Sequence, residues 1–260
     1  MTDVYAFDKV WNEERTRLAG LEAALDLGTR GHLIRLGARP GARCLEVGAG
    51  GGTLAFWLAE QVAPGGTVVA TDVETGFLES QVVSHPGVEI LKHDLTTEEL
   101  PGDLDLVSAR WFIHWMPDKR EALRRLVGAL RPGGALLVEE PDFVTIFNTA
   151  EPQALRRVVI AAVEYLEASH PVEGQYGRRV LDDLCSVGLR DVAAEGRSLV
   201  VRGGSLPTDF MRLTLEKCRA ALLADRRVNE AEFVEATETL RNPECSVIMP
   251  MTVAAWGWRA

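Results

Sequence analysis

Apolar positions along this chain follow two spacings. Short, nearly continuous runs such as Cys44, Leu45 and Val47 alternate with stretches such as Leu54, Leu58 and Val62, spaced as one face of a helix. The pattern predicts strands over 66–73, 88–94, 103–109 and 134–140 besides the first run, with helices over 53–62, 75–83 and 118–130. Strands that read as unbroken apolar runs belong to a parallel sheet covered on both faces, so a doubly wound α/β sheet is expected. Upstream, Leu18, Leu21, Leu25, Leu33 and Leu36 keep helical spacing across residues 7–36, interrupted near Leu27-Gly28, which predicts two helices. Downstream, the pattern predicts helices over 152–168 and 178–187, a strand over 191–202, helices over 207–224 and 229–240, and a last strand over 246–258. Pro101-Gly102 and Pro132-Gly133-Gly134 stand where turns are needed.

The first strand, carrying the single acid Glu46, runs into Gly48, Gly50, Gly51 and Gly52 and then into a helix. Glycine tolerates φ > 0 and lets a ligand lie against bare backbone, while the N–H groups that open a helix have no internal partner. The order strand, glycine turn, helix therefore reads as a nucleotide-type site at the carboxyl edge of a sheet; a tight turn with incidental glycines is the bland reading. Asp72 ends the second strand twenty residues after Gly52, where a carboxylate can accept two hydrogen bonds from vicinal ribose hydroxyls. Nicotinamide-binding and S-adenosylmethionine-binding folds both place an acid there.

Further motifs separate the two. Glu46 to Gly52, Asp72, the pair Asp94-Leu95, Asp105 to Val107 and the segment Leu130 to Gly134 fall in one order, and with them the sequence resembles the class I S-adenosylmethionine-dependent methyltransferases. The resemblance covers residues 40–142 with specific motifs. It extends more loosely to both ends, YAFDKVWNEER and MTVAAWGWRA, which look like small-molecule, natural-product type methyltransferases of actinobacteria. It implies a seven-stranded, mostly parallel sheet with an antiparallel last strand, in a single domain over 1–260. Residues 1–38 would form a helical cap, 39–142 the cofactor-binding core, and 143–175 with 205–243 helical insertions on the acceptor side. The implied cofactor is S-adenosyl-L-methionine, held by Glu46, Gly48, Gly50, Gly52, Asp72, Val73, Asp94, Leu95 and Arg110. Glu46 would organise the methionine end, Asp72 the ribose and Asp94 the adenine amino group. For each acid a structural role at a strand end or turn competes.

Composition narrows the partners. The 260 residues are 47% hydrophobic and 25% charged, enough for one large domain, and the net charge of −10 comes without a long basic run. Nucleic acid is therefore disfavoured as a substrate. No stretch approaches the ~18–20 apolar residues of a membrane helix, the start lacks a signal-peptide pattern, and four scattered cysteines suit a reducing compartment, so a cytoplasmic enzyme is expected. A homodimer is left open as the assembly.

The acceptor side is written less plainly. His114, four residues past Arg110, stands where the transferred methyl should point, and a neutral imidazole there can take a proton from an acceptor OH or NH; local packing is the rival role. Tyr5, Trp11, Trp111, Trp115, His170 and Tyr176 are candidates for the acceptor pocket, Phe112 is a further aromatic beside it, and His32, His85 and His93 read as surface or capping residues. His114, Glu139, Glu140 and Asp142 show no spacing of a metal-ligand set, so no metal is expected. The leading reading is methyl transfer to O, N or C of a small metabolite. It is an in-line displacement that asks the protein chiefly to align two ligands and exclude water. Two others compete: a protein that binds the same cofactor but regulates or catalyses a non-methylating reaction, and a nicotinamide-dependent oxidoreductase.

Overall fold

The computed structural model describes residues 6, 13–147 and 152–260. In chain order its elements are α1 Glu14–Leu36, β1 Arg43–Val47, α2 Thr53–Val62, β2 Thr67–Asp72, α3 Gly76–Val82, β3 Val88–Lys92 and β4 Leu104–Arg110. A 3-10 turn Ile113–Trp115 leads to α4 Lys119–Ala129, β5 Leu130–Asp142, α5 Val144–Phe147, α6 Gln153–Ser169, a second 3-10 turn Tyr176–Arg178, α7 Val180–Ser186, β6 Leu189–Arg197 and β7 Val200–Arg202. The chain closes with α8 Leu206–Ala224, α9 Glu230–Arg241, β8 Ser246–Ile248 and β9 Met251–Arg259.

Seven strands form one sheet in the order β3-β2-β1-β4-β5-β9-β6, parallel except for β9, which runs antiparallel to both β5 and β6. Successive residues feed opposite cores, as a pleated strand requires. Cys44, Leu106 and Leu137 face α2 and the end of α1, whereas Leu45, Val107 and Leu136 face α4 and α7. A third apolar cluster joins α6, α8 and α9 to Ala24 and Leu25 of α1 over the end of the sheet.

Three expectations are corrected. The two helices before β1 are one, because the glycine that seemed to break them is a packing site. The Arg197 guanidinium lies where a Gly28 side chain would project, and its Nη2 donates to the Leu25 carbonyl at 3.2 Å. The strands expected over 191–202 and 246–258 each divide. β7 and β8 pair in a separate two-stranded sheet, and Pro250, which has no N–H to give, stands between β8 and β9. Pro132-Gly133-Gly134 is a bulge inside β5 rather than a turn before it: Leu104 pairs with Leu130 but Leu106 already with Ala135, and Gly133 has φ +77°.

Candidate active site

The glycine turn leaves β1 at the carboxyl edge of the sheet. Gly48, Gly50 and Gly52 have φ of +70°, +58° and +88°, a region in which a side chain is strained. Gly48 and Ala49 donate to the Thr71 carbonyl at 2.9 Å. Asp72 braces the turn from β2: its Oδ2 accepts the Gly50 N–H at 2.9 Å and its Oδ1 the Glu74 N–H at 3.0 Å. An ionised carboxylate has acceptor sites beyond those two.

Glu46 is 3% exposed, and its Oε2 is buried without a hydrogen-bond partner. Burial pushes this carboxyl up to about 8; Arg110 opposes the shift while Asp26, Glu22 and Asp72 add to it. Arg110, buried at the end of β4, gives Nη1 to Asp26 Oδ1 at 2.8 Å, so it ties α1 to the sheet. A buried, unpartnered carboxylate oxygen beside a glycine turn calls for a cationic partner. An α-ammonium group supplies one, so these residues fit the amino-acid end of S-adenosylmethionine.

Val73 is exposed beside Asp72. Asp94 caps a turn, its Oδ1 accepting from Thr96 N at 2.8 Å and Thr96 Oγ1 at 2.6 Å, and Leu95 is buried in the core on the α4 side. Their roles toward an adenine remain those implied by the resemblance. Tyr5 and Trp11 lie outside the described residues.

Trp111 opens the side expected to take the acceptor. Its φ of +49° is unusual for a bulky residue, and the backbone bond from its N–H to the Glu139 carbonyl (2.7 Å) and the side-chain bond from Nε1 to Thr252 Oγ1 (3.1 Å) hold it there. The chain thereby folds back, placing the Phe112 ring against Gly48, where a side chain could not fit, and the His114 ring in the wall of a cleft. That cleft is bounded by Trp111, Trp115, Phe143, Phe210 and Met211, with Val159 and Val163 of α6. His114 Nδ1 lies 2.7 Å from Glu140 Oε2. The other Glu140 oxygen already accepts the Ile113 N–H at 2.7 Å, so Glu140 is an acceptor, Nδ1 carries the imidazole proton, and Nε2 is left as the basic nitrogen. His114 and Glu140 are both at least 95% buried.

Two acceptor candidates lie away from the cleft wall. Tyr176 is fully buried in the core on the α7 side with its hydroxyl donating to Asp183 Oδ2 at 3.2 Å; burial raises its phenol, and the structure does not bring it to the cleft. His170 sits behind Trp115, ring centroids 6.2 Å apart, at the end of α6. His85 caps α3 as expected, whereas His32 and His93 are buried. Glu140 as the partner of His114, and Arg15, Glu22 and Asp26 on α1, escaped the sequence reading. Among the described residues no group of three or more His, Cys, Asp or Glu side chains could hold a metal ion.

His32 bridges α1 to two strands, Nδ1 to Glu139 Oε1 at 3.0 Å and Nε2 to Glu195 Oε1 at 2.8 Å. Thr29 Oγ1 adds a 2.5 Å bond to Glu139 Oε2. The hydrogen bond to Glu139 raises the imidazole above its usual value, against burial and with help from the charges of Glu139 and Glu195. A raised histidine stabilises fully below the unfolded value of about 6.5 and loses that contribution as pH climbs through the folded one. Melting temperature should therefore fall with rising pH above about 6.5. Glu46 slopes in the same direction up to about 8, so the difference between wild type and His32→Gln in thermal scans isolates the histidine. Parallel curves would show that the bridge carries no charge.

These features define a Rossmann-like fold of the class I methyltransferase type, and the glycine turn and the buried Glu46 carboxyl fit S-adenosylmethionine as its cofactor. Residues 45–136 match the family model described as "Methyltransferase domain". A trans-aconitate 2-methyltransferase of Rhizobium rhizogenes is 30% identical over 145 residues, 56% of this chain and 50% of that protein. The chain thus spans about half the length of that relative. In fold it is similar to the YcgJ protein of Bacillus subtilis (TM-score 0.60, 16% identity, 90% of this chain and 98% of that one). It is similar as well to the phosphoethanolamine N-methyltransferase 2 of Haemonchus contortus, solved with S-adenosylhomocysteine (TM-score 0.56, 17% identity, 90% and 52%). No helix among the described residues is long and apolar enough to cross a membrane.

Proposed function

We propose that this chain transfers a methyl group from S-adenosylmethionine to an oxygen, nitrogen or carbon of a small, apolar, ring-bearing metabolite, with His114 as the base. The observation that carries the reading is the His114–Glu140 pair in the wall of an apolar cleft that adjoins the glycine turn through Phe112. The cofactor supplies an electrophilic methyl on a sulfonium. Glu140 keeps the His114 Nε2 lone pair available, Nε2 takes the acceptor's proton, and the aromatic walls exclude water and orient a ring. A polyanion such as trans-aconitate is a poor match for this cleft. Its wall offers Arg17, whose Nε and Nη2 are already given to Glu14, and sets Glu167 against a further negative charge.

The net charge of −10 supports a small molecule over nucleic acid as acceptor, and the resemblance of the chain's ends supports secondary metabolism. Incubation with S-adenosylmethionine and a panel of phenols, quinols and heteroaromatic amines, read by mass spectrometry, tests the assignment. Methylated product with equimolar S-adenosylhomocysteine is expected. Turnover of an acceptor without consumption of the cofactor would replace it by a non-methylating reaction.

Asp72→Ala should weaken S-adenosylhomocysteine binding more than tenfold, about 1.4 kcal/mol, because the Gly50 brace and the ribose acceptor go together. Wild-type affinity by calorimetry in a folded variant would remove Asp72 from the site.

A further inference from the structure

The face of α1 that covers the glycine turn is charged. Arg15 and Glu22, two turns apart, pair at 2.9 Å between Nη1 and Oε2. The pair lies on the turn itself: a Cβ built on Gly51 would collide with Glu22 Oε1 and Arg15 Nη1. Glu22 is 7% exposed, and its Oε1 is buried without a hydrogen-bond partner, as is Oε2 of Glu46 at the end of β1. Burial pushes the Glu22 carboxyl up against the pull of Arg15. Two orphaned carboxylate oxygens and a guanidinium are thus gathered at the turn where the backbone is bare.

We propose that the Arg15–Glu22 ion pair stands in for the amino-acid end of the cofactor and exchanges with it: Arg15 passes to the α-carboxylate, while Glu22, with Glu46, receives the α-ammonium. The inference rests on the cofactor reading given above. Charge is conserved in the exchange, since one internal pair is replaced by two intermolecular ones, and the Oε1 and Oε2 atoms that burial leaves unpaired gain donors. Arg15 is the more exposed partner, with 36% of its side chain accessible, so the pair can open toward solvent without unfolding α1.

Two ligands that share an adenosine but differ in the amino-acid moiety separate this exchange from a structural role. Calorimetry should use S-adenosylhomocysteine and 5′-methylthioadenosine against wild type, Glu22→Gln and Arg15→Met. Both substitutions should weaken S-adenosylhomocysteine at least tenfold and leave methylthioadenosine within about twofold. In a structure with S-adenosylhomocysteine, Arg15 and Glu22 should no longer be paired. Equal losses for the two ligands, no loss for either, or a persisting pair overturns the exchange while leaving the cofactor site in place. Wild-type protein that binds neither ligand overturns the cofactor reading and the exchange with it.

Discussion

His114→Ala should lower kcat by roughly 10²–10⁴-fold while S-adenosylhomocysteine affinity stays within a few fold, because the proton transfer belongs to the chemical step and not to cofactor binding. The ring has neighbours that keep it in place for that work. Glu140 holds Nδ1 at 2.7 Å, and the His114 carbonyl accepts the Glu173 N–H at 3.0 Å, pinning the loop after α6 to the same turn. Glu140→Gln keeps an acceptor oxygen for the Ile113 N–H but sets an amide N–H donor against Nδ1, which favours the tautomer with its proton on Nε2, so it should lose rate in the same direction. If the cleft works by alignment alone, His114→Ala will raise the acceptor KM and keep kcat. Full kcat at saturating acceptor would strip His114 of the base role.

Periodicity revealed the sheet because its central strands, β1, β4 and β5, bury both faces. The alternation of Cys44 with Leu45, or Leu136 with Leu137, between two cores is written in residues next to each other. The glycine turn was legible for a similar reason, since positive φ at Gly48, Gly50 and Gly52 is a local demand that glycine alone meets cheaply. What stayed hidden depends on distant partners. Gly28 looks like a helix breaker until Arg197, on β6, is seen lying across it. Glu140 looks like a strand-end acid until the backward turn at Trp111 brings His114 to it. Arg15, Glu22 and Asp26 look like the solvated stripe of an N-terminal helix, and nothing in their spacing says that the stripe faces the glycine turn. His32 misled for the same reason, because its two carboxylates come from strands more than a hundred residues away.

Gly50→Val should abolish cofactor binding, a loss of more than about a hundredfold, in a protein that still folds. Gly50 has φ +58°, and its N–H is held by Asp72, so the turn cannot relax toward negative φ without giving up that bond. A left-handed conformation costs a non-glycine residue about 1–2 kcal/mol, and a β-branched side chain more. The second effect is occupation. The Gly50 Cβ position points toward Leu18 of α1 at 3.7 Å, an ordinary contact for a single carbon but too little room for the two methyls of valine in the gap between α1 and the turn. Gly50→Ala separates the two effects, because it carries the backbone strain without filling the gap. Thermal shift with S-adenosylhomocysteine should show a reduced stabilisation for Gly50→Ala and none for Gly50→Val. Equal, wild-type shifts in both variants would mean that the ligand does not lie against this turn.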